Sequence, residues 1–108
     1  MKYKYKWLIQ KVAALVFLLS FFFTVKELQD IDLYQYENIY NFINEKFNAF
    51  IIFLLVSSIL IHSNIGLSSI IDDYIHDSII KNRIVTFKNF LLVLLFIMTI
   101  LSILIIVL

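Results

Sequence analysis

Three long apolar segments divide the chain, and charged residues cluster in the stretches between them. Each segment reaches the length of about 20 residues that an α-helix needs to cross a bilayer. They cover residues 7–25, 47–71 and 90–108. The chain contains no proline to break them. The pattern therefore predicts an all-α membrane protein of one domain, residues 1–108, with three transmembrane helices at about 7–25, 47–73 and 89–108.

Composition agrees with lipid as the surrounding solvent. Hydrophobic residues make up 62% of the 108, which leaves too little polar surface to cover a soluble globule of this size. The net charge of +1 gives no basic footprint for nucleic acid, so no nucleic-acid partner is expected. With no cysteine, the chain cannot hold an iron–sulfur cluster through thiolates, and any redox cofactor must use other ligands.

Lysine and arginine are distributed unevenly along the polar stretches. The first connection is acidic, whereas the basic residues lie before the first helix and in the predicted second connection. They are Lys2, Lys4, Lys6 and Lys11 at the start, and Lys81, Arg83 and Lys88 later. Because basic stretches stay on the inside, the N-terminus is expected inside and the C-terminus outside. A bundle this thin is also expected to pack against a second membrane subunit.

The second predicted helix carries one polar stripe in an apolar setting. At about 100° per residue, its members fall on one narrow face of the helix. They are Ser58, His62, Gly66, Ser69 and Asp73. A polar face is costly toward lipid, so it is expected to point into a bundle or a cofactor pocket.

Two interpretations of His62 remain open from the residues alone. Its imidazole can hydrogen-bond a neighbouring helix, or it can be an axial ligand of haem iron. Gly66, one turn further on, removes a side chain where a flat porphyrin would approach, although close helix packing uses glycine in the same way. The pair His62 and Gly66 therefore predicts a haem seat without excluding helix packing.

Asp73 and Tyr74 follow at the inner end of the same helix. A phenol can donate a hydrogen bond to a quinone carbonyl, and a nearby carboxylate can relay protons. The alternative is a solvated helix end with an aromatic anchor. Lys11, near the inner end of the first helix, can extend its ammonium to the interface, and His76 and Arg83 are most simply solvated.

The run His62-x3-Gly66-x6-Asp73-Tyr74 resembles the signature of the small cytochrome-b-type anchor subunit of succinate dehydrogenase, respiratory complex II. Two further stretches are similar to that family: Trp7-x-x-Gln10-Lys11, where the family has Trp-x-x-Gln-Arg, and Phe47-Asn-Ala-Phe50. The similarity is specific in the second helix, and the third span offers no motif. Nearly the whole chain is covered.

The resemblance implies an axial haem b ligand at His62, with the second ligand from a larger cytochrome b anchor subunit. It implies a ubiquinone site that includes Tyr74, Asp73 and Lys11. The family usually has arginine at the position of Lys11, and a lysine ammonium cannot make the paired hydrogen bonds of a planar guanidinium. The chain would be a subunit of succinate dehydrogenase (quinone), not an enzyme alone. A flavoprotein and an iron–sulfur subunit would complete the complex and link the tricarboxylic acid cycle to the respiratory chain.

The abundance of Ile, Phe, Asn, Lys and Tyr is typical of AT-rich coding. Such coding suggests an organelle-encoded or bacterial chain, and the resemblance then implies the mitochondrial inner membrane or, alternatively, a bacterial plasma membrane. Two other functions stay open. One is a haem-free structural anchor with His62 bonded to a neighbour, and the other is a small transporter component whose polar stripe lines an aqueous path.

Overall fold

The computed structural model describes the backbone of residues 3–108 and the side chains from residue 5 onward. It contains four α-helices: α1 (Tyr3–Leu28), α2 (Tyr36–Asn44), α3 (Lys46–Tyr74) and α4 (Ser78–Val107). The helices α1, α3 and α4 are long and apolar enough to cross a membrane, which confirms the prediction of an all-α chain with three such helices. Lys2 and the side chain of Lys4, which entered the predicted orientation, lie outside the described residues.

The short helix α2 lies in the stretch predicted as a connection. Its one buried side chain is Phe42, which is 8% exposed. Asn48 at the start of α3 fixes the junction, because its amide nitrogen donates to the carbonyl oxygen of Phe42 and to Oε2 of Glu45, both at 3.1 Å. Tyr40 donates from its hydroxyl to the carbonyl oxygen of Ile106 at 3.4 Å, so α2 also contacts the end of α4.

The third long helix begins at Ser78, well before the predicted start at about residue 89. Asp77 caps it, since the carboxylate accepts from the backbone nitrogens of Ile79 at 2.9 Å and Ile80 at 3.2 Å. The connection between α3 and α4 is therefore only the turn at residues 75–77. The prediction of a long basic connection here was wrong, because Lys81, Arg83 and Lys88 lie on the first turns of α4.

The central helix is α3, which contacts α1, α2 and α4. None of the described Cα atoms of α1 comes within 8 Å of one in α4. The rings of Phe23 and Phe47, 5.4 Å apart, mark the end where α2 lies, hereafter the α2 end. The opposite end holds the turn at residues 75–77 and is hereafter the turn end. Both α1 and α4 run antiparallel to α3.

Few side chains are buried within the chain itself. The buried apolar residues among those described are Ala13, Phe42, Ala49 and Ile71. Two of them are alanines, and small residues of this kind let membrane helices approach closely. Most large apolar side chains of the long helices remain exposed. The outer faces of the bundle must therefore be covered by lipid or by another membrane protein.

Candidate functional site

The imidazole of His62 lies against α1. Its Nδ1 is 3.3 Å from the carbonyl oxygen of Gln10. A carbonyl oxygen only accepts, so a hydrogen bond here needs a hydrogen on Nδ1, and in a neutral imidazole Nε2 then keeps its lone pair. Among the described residues Nε2 has no hydrogen-bond partner. The arrangement of a ring N–H bonded to a backbone carbonyl is common for histidines that bind metals.

Gly66 lies one turn from His62 and faces the same part of α1. A Cβ atom built on Gly66 would have the amide nitrogen of the Gln10 side chain as its neighbour, at 3.7 Å. That distance is an ordinary van der Waals contact. An alanine would therefore fit between α3 and α1 at this position, and the part of Gly66 in seating a haem stays a prediction.

The rest of the predicted polar stripe does not form one site. Ser58 is 4% exposed and donates back to the carbonyl oxygen of Leu55 at 2.9 Å, so its hydroxyl is satisfied within α3. Ser69 donates to the carbonyl oxygen of Ile65 at 3.1 Å and is exposed. Asp73 is also exposed. The middle of the stripe contacts α1, whereas its last two members lie on the surface of this chain.

Two of the predicted quinone residues, Asp73 and Tyr74, lie at the turn end without forming a closed pocket. Tyr74 is the last residue of α3 and is 80% exposed. The neighbouring carboxylate of Asp72, not Asp73, makes the salt bridge between α3 and α4, with Oδ1 2.8 Å from Nζ of Lys81. The structure does not bring Lys11 to this end, because it is exposed on α1 beside Gln10, which contacts His62 and lies next to Gly66, about 12 Å along α3 from Tyr74.

A second polar cluster joins α3 to α4, and the sequence reasoning missed it. Lys88 is 9% exposed, and its ammonium donates to Oδ1 of Asn64 at 2.8 Å and to Oγ of Ser68 at 2.7 Å. A lysine buried between two potential membrane helices is costly and is commonly functional. The signal was available in the sequence, because Asn64 and Ser68 lie one turn apart within an apolar span.

Beside this cluster an apolar groove of about 520 Å³ runs between α3 and α4. It is lined by Phe53, Ser57, Leu60, Ile61 and Asn64 of α3 and by Asn89, Leu92, Val93 and Phe96 of α4. The aromatic rings of Phe53 and Phe96 lie 6.0 Å apart at one end. The hydroxyl of Ser57 is buried and has no hydrogen-bond partner among the described residues. The groove thus has polar side chains along an otherwise apolar surface.

The donor set matches haem ligation better than binding of a free metal ion. Among the described residues no group of three or more His, Cys, Asp or Glu side chains could hold a metal ion. A haem needs only one axial ligand from each of two chains, because the porphyrin nitrogens supply the other four. A single histidine with a fixed tautomer fits that requirement.

Comparison with known proteins gives no further assignment. No protein-family model matches the sequence, and no curated protein matches it either.

Proposed function

We propose that this chain is the small membrane anchor subunit of a succinate dehydrogenase, that it contributes one axial ligand to haem b, and that it forms part of the ubiquinone-reduction site. The observation that carries the proposal is the contact of His62 Nδ1 with the carbonyl oxygen of Gln10. Gln10 also belongs to the segment at Trp7 that resembles the family's first helix. Two of the stretches that carry the resemblance thus meet at one point.

The residues of this chain would act mainly by holding and orienting. The carbonyl oxygen of Gln10 would orient the imidazole of His62 through Nδ1, and Nε2 would hold the haem iron. Haem b, when bound, supplies a one-electron carrier between the iron–sulfur subunit and the membrane. The second axial ligand would come from a larger cytochrome b anchor subunit, so the cofactor would bridge the two chains. The exposed faces of α1 and α4 offer surface for that partner.

The quinone site would lie at the turn end. There the phenol of Tyr74 donates to a ubiquinone carbonyl oxygen, and the carboxylate of Asp73 can pass a proton as the quinone is reduced. Both side chains are exposed in this chain. Lys11 is exposed as well but lies level with His62 and Gly66, so it would contact a quinone only deeper in the membrane. The iron–sulfur and flavoprotein subunits would dock on the same end, facing the matrix or the cytoplasm. The membrane is then the mitochondrial inner membrane or a bacterial plasma membrane, with the N-terminus inside.

The test is a reduced-minus-oxidised optical spectrum of the purified complex, with wild type and His62→Ala measured side by side. The proposal predicts a b-type band that is lost in His62→Ala. His76→Ala is the matched control, because His76 is exposed beyond the end of α3 and should leave the band unchanged. A band that survives in His62→Ala would remove the ligand assignment.

A haem-free structural anchor is the second candidate, and the same contact favours it. The hydrogen bond from His62 to Gln10 ties α3 to α1 whether or not iron is bound. This candidate predicts no b-type band in wild type and a lower melting temperature in His62→Ala. Copurification with a flavoprotein would separate both candidates from a transporter component.

A further inference from the structure

Lys88 makes no salt bridge within 4.0 Å with a carboxylate of the described side chains. The one salt bridge found there within 4.0 Å joins Lys81 to Asp72. The two oxygens that Lys88 contacts, on Asn64 and Ser68, are neutral. An ammonium buried among neutral partners is costly, and an anion nearby would offset the cost of burial.

Asn64 connects this charge to the groove between α3 and α4. Its side-chain oxygen faces Lys88 at 2.8 Å, so its two amide hydrogens point away from the ammonium. Asn64 and Asn89 both line the groove. The end of the groove nearest the cluster therefore presents amide groups, and the ammonium of Lys88 lies directly behind Asn64 without lining the groove. Amide hydrogens with a positive charge behind them suit phosphate and ester oxygens.

The length of the groove matches one leaflet of a bilayer. From Asn64, its polar end, to Phe53, its aromatic end, the rise along α3 is about 16 Å. Half of the hydrocarbon core is about 15 Å. Toward the turn end, α3 continues for about 12 Å from Asn64 to Asp72, whose salt bridge with Lys81 is exposed. With 29 residues, α3 exceeds the thickness of the core by about 13 Å, so the polar end of the groove can lie at the boundary of the core.

We propose that the groove between α3 and α4 binds one anionic phospholipid, with its phosphate beside the Lys88–Asn64–Ser68 cluster and one acyl chain along the apolar lining. Basic pockets between membrane helices bind anionic lipid headgroups in this way. The acyl chain would cover Leu60, Ile61 and Phe96. It would fill the space that the side chains of α3 and α4 leave between the two helices. This site does not depend on haem, on quinone or on the proposed enzyme.

The experiment is native mass spectrometry of the full chain, together with any partners that purify with it. The protein is first equilibrated in vesicles of equal parts phosphatidylglycerol and phosphatidylcholine. Wild type should retain one phosphatidylglycerol in preference to phosphatidylcholine, and Lys88→Met should lower that preference about fivefold. Arg83→Gln is the charge control, because it removes an exposed cation of α4 that does not line the groove, and it should match wild type.

A second pair of variants tests whether the apolar lining binds an acyl chain, and it leaves Lys88 unchanged. Val93 lines the mouth of the groove and is 57% exposed, so Val93→Trp should fill the groove and abolish retention of the lipid. Leu94→Trp, at an exposed neighbour outside the groove, should retain it. Circular dichroism checks that each variant keeps its helical content.

Ser57→Ala distinguishes an acyl chain from a ligand with a polar head deep in the groove. An acyl chain does not use the Ser57 hydroxyl, so the variant should bind the phospholipid as wild type does. Loss of lipid in Ser57→Ala would overturn the proposal. Equal retention of the two phospholipids by wild type, or an unchanged preference in Lys88→Met, would overturn it as well.

Discussion

Nδ1 of His62 lies 3.3 Å from the carbonyl oxygen of Gln10, while Oδ1 of Asn64, two residues further along α3, lies 2.8 Å from Nζ of Lys88. At about 100° per residue, the two α3 side chains point to nearly opposite sides of the helix. α3 therefore presents one polar surface to α1 and another to α4. Each of the two long neighbours is held to α3 by a polar contact within an apolar span.

The space beside Gly66 predicts that alanine is tolerated at this position. A haem packed against Gly66 would not tolerate the added methyl group. Gly66→Ala places a methyl group at an ordinary distance of 3.7 Å from the Gln10 side chain, and alanine favours the helix over glycine by up to about 1 kcal/mol. We expect the melting temperature of the complex to stay constant or rise. Gly66→Leu should lower it, because the larger side chain separates α1 from α3.

The optical spectrum of Gly66→Ala tests whether Gly66 also seats a haem. If the melting temperature is kept and the b-type band of a haem-containing wild type disappears, Gly66 seats the porphyrin. If both are kept, neither helix packing nor haem binding requires a glycine at this position.

Asn64 and Lys88 should be energetically coupled. Asn64→Leu removes one of the two acceptors of a buried ammonium and should cost about 1.5–3 kcal/mol of unfolding free energy. Adding Lys88→Met removes the stranded charge, so the double variant should be more stable than the sum of the two single changes. Chemical unfolding in detergent measures the cycle. Asn89→Leu, which lines the same groove but does not contact Lys88, should show no coupling, and additive losses for Asn64 and Lys88 would contradict this prediction.

The junction between α2 and α3 should depend on Asn48. Its buried amide donates to Phe42 and Glu45, and Asn48→Ala leaves the carbonyl oxygen of Phe42 without this donor. We expect a loss of about 1–3 kcal/mol of unfolding free energy. Asn44→Ala, at an exposed position of the same junction, should change it little. Equal effects of the two substitutions would show that the hydrogen bonds of Asn48 are not what stabilises the turn.

Tyr74→Phe tests the quinone assignment without disturbing the fold. The ring is 80% exposed, so loss of its hydroxyl should leave the melting temperature unchanged. Removing one hydrogen bond to the quinone should lower kcat/KM for ubiquinone reduction about tenfold. Tyr36→Phe, with a ring 75% exposed at the α2 end, should keep full activity. Unchanged kinetics in Tyr74→Phe would remove the phenol from the quinone site.

The length of α4 shows where sequence reasoning failed. The basic residues at 81, 83 and 88 interrupt the apolar run, so hydropathy placed them in a connection. In the structure Asp77 caps the helix four residues before Lys81, and the Asp72–Lys81 salt bridge closes the hairpin. The capping aspartate was a local signal that hydropathy alone does not weigh. The helix α2 was missed for a related reason, since nine residues are too few to register as a span.

The sequence by itself determined that the chain is helical, that three of its segments are long enough to cross a bilayer, and that α3 carries polar residues at helical spacing. These properties follow from the length and periodicity of apolar runs, which are local. The tertiary structure decided which side of α3 meets which neighbour, and hence that His62 and Gly66 face Gln10 while Asn64 and Ser68 hold Lys88. Such pairings depend on the rotation of each helix about its axis and on its register with its neighbours, which periodicity along one helix does not specify.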